Sequence, residues 1–276
     1  MTMTSEIALV PGAGRLEYWD PRPGLRRPIP LWTYTPAGFG PESPIVLVMH
    51  GMKRNADEYR DNWAEAAEAE GCLVVAPEFS KAAYPESRDY NYGNVFKDDE
   101  RLLPRDEWLF PVLDRIFLHV KARAGSRREQ YALFGHSAGG QLVHRLVTLA
   151  FSPLIEIAIS ANAGSYTMPV MDVRYPFGLG GTSYTTEQER ALVTRPLVIL
   201  LGDSDNDPNH HSLPRDEAAM RQGPHRFGRG QAYFEAGRQL ALKHGVPFAW
   251  RLEIAPGVAH SNAGLARQAA RIASRR

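Results

Sequence analysis

Three short stretches of the chain carry the side chains that together could break an acyl bond. "GHSAGG" (135–140) sets Ser137 between glycines, "LGDSDND" (201–207) offers Asp203, Asp205 and Asp207, and "PGVAHS" (256–261) carries His260. A serine hydroxyl is a weak nucleophile until a base takes its proton, and the base needs a third group to hold its tautomer. Ser137 is read as the nucleophile, His260 as the base and Asp205 as the acid that orients it, with Asp203 and Asp207 as the alternatives for the last role. The glycines have a reason of their own. A serine that projects its hydroxyl above a sheet sits on a strained turn, and the strand and helix it joins approach so closely that Gly135 and Gly139 must lack side chains. Such a turn leaves the N–H of Ala138 at a helix start, where unpaired donors and the dipole favour a developing oxyanion. A second donor is expected after "IVLVMHGMKRNADEY" turns from strand to helix, and it is assigned to the N–H of Met52.

Nine histidines compete for the role of base, at 50, 119, 136, 144, 210, 211, 225, 244 and 260. His260 is preferred because its loop follows the last apolar run and would emerge at the same sheet edge as Ser137. His119, His144 and His244 fall in helical patterns and read as packing or surface residues. His136 adjoins the serine on a sharp turn and is expected to point elsewhere. His50 reads as an orienting residue beneath the Met52 loop and is counted with the substrate-side residues. The alternating aspartates also mimic a calcium loop, but Pro208 and Pro214 stand where that loop needs glycine and a bidentate glutamate. No metal site is expected.

Residues so far apart meet only if the intervening elements bring them to one edge. Apolar runs rich in β-branched residues read as strands near 30 and at 45–50, 72–79, 130–137, 155–164, 196–205 and 248–257. Helical patterns lie at 55–70, 107–124, 138–151, 228–244 and 262–275, several closed by a glycine such as Gly71, Gly125 or Gly245. Continuous apolar strands alternating with helices predict an α/β fold in which a mostly parallel central sheet is covered by helices on both faces. Functional groups of such sheets gather at the carboxyl ends of the strands. Residues 80–104 and 165–190 break the alternation and read as a small lid insertion or substrate loops.

Bulk composition narrows the class. The 276 residues are 43% hydrophobic, enough for one large core, and a single domain over 1–276 is expected. Against 32 basic residues stand 31 acidic ones, so no broad field invites nucleic acid or an anionic membrane. The single cysteine, Cys72, sits in an apolar run and reads as a buried structural thiol. The N-terminus has no basic stretch leading into a long apolar one, which reads as a cytoplasmic protein; a processed secreted chain would read the same way.

In this order, "HGMKRNADEY", "GHSAGG", "LGDSDND" and "PGVAHS" resemble the α/β-hydrolase superfamily, from about residue 30 to the C-terminus. More narrowly, "HGMKRNADEY", "VAPEFSKAAYP", "YNYGNVF" and "GDSDNDPNHHSLPRDEAAMRQGPHRFGRG" are similar to the poly(3-hydroxybutyrate) depolymerase-like esterases, a group that shades into feruloyl and acetyl xylan esterases. The resemblance implies an α/β-hydrolase fold, a catalytic triad in the order Ser137, Asp205, His260, and an acyl-enzyme formed without a cofactor. Its substrate would be a small or oligomeric ester. The substrate wall is expected to include Glu78 and Phe79 after one strand, Tyr90, Tyr92 and Asn94 in the first long loop, and Asn162, Tyr166 and Tyr175 after a later strand. Two rivals remain: an amidase, peptidase or polyamide hydrolase with the same triad, and a hydrolase fold kept as a binding module.

Overall fold

The computed structural model describes residues 9–22 and 27–275. Eight strands form one sheet: β1 (Gly12–Tyr18), β2 (Ile29–Thr35), β3 (Ile45–Met49), β4 (Leu73–Pro77), β5 (Tyr131–His136), β6 (Ile155–Ala161), β7 (Leu197–Gly202) and β8 (Arg251–Ala255). Their order is β1-β2-β4-β3-β5-β6-β7-β8. The pairings of β1 with β2 and of β2 with β4 are antiparallel, and every later pairing is parallel. Parallel strands need covered crossovers, and the helices supply them: α1 (Ala56–Glu70), α2 (Phe110–Arg123), α3 (Ala138–Ala150), α4 (Thr186–Thr194), α5 (Glu217–Met220), α6 (Arg226–His244) and α7 (Asn262–Ser274).

The two faces of the sheet make two cores. On one side, alternate residues of the central strands, Val46, Val48, Ala132, Phe134 and Ile159, meet α1 and α7 through Tyr59, Trp63, Leu265 and Ala269. On the other, Leu47, Leu133, Ala158 and Ile199 meet α2, α3, α4 and α6 through Ile116, Val143, Leu192 and Tyr233. Burial on both faces is why β3, β4, β5 and β7 read as unbroken apolar runs. Trp63, wholly buried against Phe134 at 4.8 Å, shows the energetic scale, since truncation of such a ring costs about 3–5 kcal/mol.

The sequence reading misses three elements. β1 is an edge strand of sequence GAGRLEY, exposed on alternate residues and led by glycines, so its apolar signal reduces to Leu16 and Tyr18. α4 begins inside the stretch assigned to a loop and runs beyond it, although its start carries a legible capping box, Thr185 Oγ1 accepting from Gln188 N–H while Gln188 Oε1 accepts from Thr185 N–H. α5 has four residues, too few to show periodicity. The predicted glycine stops hold: Gly71 and Gly245 are left-handed caps of α1 and α6. Cys72 is buried and burial pushes its thiol up to about 12. No helix among the described residues is long and apolar enough to cross a membrane.

Because β3, β5, β6, β7 and β8 run parallel, the residues that follow their last positions, from His50 through Ser137, Asn162 and Asp203 to the Pro256–His260 loop, all leave at one edge of the sheet.

Candidate active site

Ser137 occupies the one-residue gap between β5 and α3 with φ 58° and ψ −116°, a conformation that costs a residue with a side chain about 1–3 kcal/mol. Close packing enforces it. A Cβ on Gly135 would lie 2.2 Å from the carbonyl oxygen of Gly139, and one on Gly139 would lie 2.1 Å from that of Met49. Both glycines are required, as the motif implied, and a third joins them: a Cβ on Gly140 would stand 2.6 Å from Ala161 O. The Ser137 N–H donates to Ala161 O at 3.0 Å, tying the turn to β6.

Above the turn, Ser137 Oγ is 3.0 Å from His260 Nε2, and His260 Nδ1 is 2.7 Å from Asp205 Oδ2. Asp205 accepts, so Nδ1 carries the proton and Nε2 presents its lone pair to the serine. Of the three aspartates, the fold brings Asp205 to His260. Asp203 Oδ1 instead accepts from the Gly257 N–H, and Asp207 Oδ1 from the Asn209 N–H. His260 is placed by the end of β8 and by the start of α7, where Ser261 Oγ caps the Gly264 N–H. Asp205 is buried and has a second partner that sequence reasoning missed, Arg226, whose guanidinium is 3.5 Å from Oδ1. Arg226 lies within the stretch from Gly202 to Gly230 that carries the resemblance, but only the packing of α6 beneath the loop shows its contact with Asp205.

The loop after β3 passes over the serine: a Cβ on Gly51 would be 3.7 Å from Ser137 Cβ. Met52 follows in a turn closed by Arg54 N–H to Gly51 O at 3.1 Å. Among the described residues neither the Met52 N–H nor the Ala138 N–H has a hydrogen-bond acceptor, leaving both free for an incoming oxygen. His50 holds this turn. Its Nε2 accepts from Phe79 N–H at 3.1 Å, which places the proton on Nδ1, and Nδ1 donates to Gly51 O at 3.0 Å. Burial pushes its imidazole down to about 3. Its orienting role beneath the loop fits this geometry; a place on the substrate wall does not, since it is wholly buried.

Four more residues expected on the substrate wall, Tyr90, Asn162, Tyr166 and Phe79, are corrected for the same reason. Tyr90 is fully buried and its hydroxyl donates to His50 O at 2.7 Å. Asn162 is buried, its Oδ1 accepting from Gly202 N–H and its Nδ2 donating to Ala259 O, so it ties β7 to the loop that carries His260. Tyr166 is buried in a stack with Tyr233 at 4.6 Å. Aromatic residues in long loops looked like a binding wall, but their rings are the core of those loops. Tyr92 and Tyr175 carry the guanidinium of Arg145 at 4.7 and 6.0 Å and line a cavity of about 110 Å³ with Phe96 and Arg174. Asn94 donates to Glu107 O and lines a larger cavity, about 610 Å³, with Tyr84, Arg22 and Arg115. Neither cavity is lined by Ser137. Glu78, half-buried, accepts from Trp32 Nε1 at 2.9 Å, and Phe79 is buried against Tyr84.

His136 is also corrected. It was expected to point away from the chemistry, yet its ring lies against that of His260 with centroids 4.6 Å apart.

No family model matches the chain, and no curated protein sequence matches it significantly. Solved structures do. Poly(aspartic acid) hydrolase-1 from Sphingomonas sp. KT-1 is 39% identical and superposes with a TM-score of 0.91 over 97% of this chain and 100% of its own. A poly(3-hydroxybutyrate) depolymerase from Bordetella parapertussis is 37% identical, with a TM-score of 0.88 over 95% of this chain and 90% of its own. An S-formylglutathione hydrolase from Agrobacterium tumefaciens, at 12% identity and a TM-score of 0.60 with 96% of each chain covered, shares the fold alone. With identity near two-fifths along almost the whole length, and the elbow and sheet order described above, the chain belongs to the α/β-hydrolase superfamily of serine hydrolases.

Proposed function

We propose that the chain hydrolyses carboxylic esters through an acyl-enzyme, with Ser137, His260 and Asp205 as its triad. The observation that carries this reading is the unbroken hydrogen-bonded line from Asp205 through His260 to Ser137, 2.7 and 3.0 Å, with the serine on a strained turn. Ser137 Oγ attacks the acyl carbon as its proton passes to His260 Nε2. The oxygen that becomes negative turns to the N–H groups of Met52 and Ala138, which are fixed in place before the charge forms. His260 then gives its proton to the leaving alkoxide, the acyl-enzyme forms, and water repeats the sequence to release the acid. Asp205 keeps its negative charge throughout, held by His260 on one oxygen and facing Arg226 on the other. No cofactor takes part in these steps. The substrate is a small or oligomeric ester, in keeping with the poly(3-hydroxybutyrate) depolymerase among the similar structures.

A second reading, amide hydrolysis, is favoured by the slightly greater likeness to a poly(aspartic acid) hydrolase. The same groups serve it, the added demand being protonation of the leaving nitrogen by His260. Steady-state rates on an ester and an amide that share one acyl group decide between them. The ester reading expects the ester to be turned over at least as well when each rate is divided by its uncatalysed rate; a larger ratio for the amide overturns it. A fluorophosphonate should label the wild type and not Ser137→Ala, and equal labelling of both would overturn the triad.

A further inference from the structure

Four imidazoles stand in a row at the candidate base. The ring of His260 lies 4.6 Å from that of His136 at 37°, and 5.3 Å from that of His210 at 67°; His210 in turn stacks on His211 at 4.5 Å. His136 is fully buried, whereas His210 is half-buried and His211 exposed, so the row runs from the core outward.

A base that takes a proton from serine and returns it to a leaving group must hold its ring plane while its charge changes. The bond to Asp205 fixes one nitrogen and leaves the ring free to tip about it. Ring neighbours restrain that tipping. His136 suits the place because burial holds its imidazole well below the ordinary range, so it stays neutral beside the imidazolium that His260 becomes. Its Nδ1 shares a 3.0 Å hydrogen bond with Tyr59 Oη, and its buried Nε2 has no partner among the described residues. Tyr59 reaches further: its hydroxyl would be 2.9 Å from a Cβ on Gly51, the residue before the Met52 donor. One phenol therefore touches both the turn that carries the oxyanion donor and the histidine packed against the base.

On the outer side, His210 Nδ1 accepts from Ser212 N–H at 3.3 Å and contacts Ser212 Oγ at 3.2 Å. That Oγ accepts from Arg226 at 2.9 Å, the same guanidinium that faces Asp205. Arg226 thus braces the acid and, through Ser212, the outer ring. Burial lowers the pKa of His210, and the charges of Arg226, His260 and His211 add to that effect against the pull of Asp205.

Resting on the assignment of His260 as base, we infer that His136 and His210 are positioning residues for it. His136 acts from the core side with Tyr59 as its anchor, and His210 from the solvent side.

The test uses the full chain, a short-chain aryl ester and four variants: His210→Ala, His210→Phe, Tyr59→Phe and His260→Ala. His210→Ala and Tyr59→Phe should each lower kcat about tenfold with KM within about twofold of wild type, the size expected from slight misplacement of a reacting group. His210→Phe, which keeps a flat ring, should recover most of that loss. If His210→Ala keeps its kcat at the wild-type value, or if His210→Phe loses as much kcat as His210→Ala, the outer arm is overturned. If Tyr59→Phe lowers only the melting temperature, the inner arm is overturned. His260→Ala separates the two levels. Turnover retained there overturns the base and this inference together, whereas turnover lost there but unchanged in the other variants overturns the positioning alone.

Discussion

The elbow at Ser137 and the two long loops that flank it are held in opposite ways. At the elbow, backbone meets backbone: Gly139 lies so close to Met49 O, and Gly135 to Gly139 O, that there is no room for a methyl group. In the loops, buried guanidiniums do the work. Arg145, on α3 and wholly buried, donates to Asn91 O in the first loop and to Pro176 O and Thr167 Oγ1 in the second. Arg54 donates to Phe79 O and Tyr84 O, and Arg229 to Gly164 O and Pro214 O. Each satisfies carbonyls that irregular chain cannot satisfy within itself. A short turn can be fixed by contact alone, whereas loops of some 25 residues need side chains that reach across them.

Substitutions can break each side of this contrast separately. Ser137→Ala leaves every elbow contact intact, so the melting temperature should stay near wild type while kcat/KM for an aryl ester falls about 10⁴-fold or more. Asp205→Asn removes the acceptor that fixes the His260 tautomer and should lower kcat about 10²- to 10⁴-fold at neutral pH, read in the same assay. Gly139→Ala drives a Cβ into Met49 O and should destabilise the fold by more than about 3 kcal/mol in denaturant melts, with activity lost through the turn itself. Arg145→Leu takes a donor from four acceptors, Thr167 Oγ1, Asn91 O, Gln141 Oε1 and Pro176 O, but fills the space; it should cost about 2–4 kcal/mol, with hydrogen exchange rising in both loops more than in the sheet. If Gly139→Ala proves milder than Arg145→Leu, the contrast between contact and bridging is wrong.

A last effect is set by pH. His50, His136 and His144 are all held below their ordinary range by burial, His50 at about 3. Unfolding frees each to bind a proton near pH 6.5, so their contribution to stability is whole above that value and is lost as pH falls from 6.5 toward their folded values. Each should steepen the decline by up to about 1.4 kcal/mol per pH unit. Melting curves between pH 7 and 4 would show it, and a flat profile there would mean that these rings are charged in the fold. His50 and His144 share one more device: each accepts a loop N–H, from Phe79 and Thr167, and faces a carbonyl of its own turn or helix, Gly51 O and Gly140 O.

Much of this was legible before any fold was known, for reasons that are local. Strands buried on both faces must be apolar throughout, so β3, β4, β5 and β7 announced themselves. A helix must start and stop on backbone-compatible residues, so α1 ends at Gly71 and α6 at Gly245. The elbow needs glycine at fixed spacing, and the Ser137, Asp205, His260 order follows from which strands end at one edge. What stayed hidden depends on distance across the sheet. A tyrosine-rich loop looks the same whether its rings face a ligand or one another, and burial turned Tyr90 and Tyr166 into packing. His136 adjoins Ser137 in sequence, but only the path of β8 and α7 lays His260 against it. Arg226, Tyr59 and His210 lie within stretches that carry the resemblance, but those stretches do not show what they meet, because their partners lie 21, 77 and 50 residues away, at Asp205, His136 and His260. Residue type and short spacing pointed to Ser137 and its turn; the surroundings of His260 were decided by tertiary packing, since a side chain's neighbours across a sheet leave no trace in its own segment.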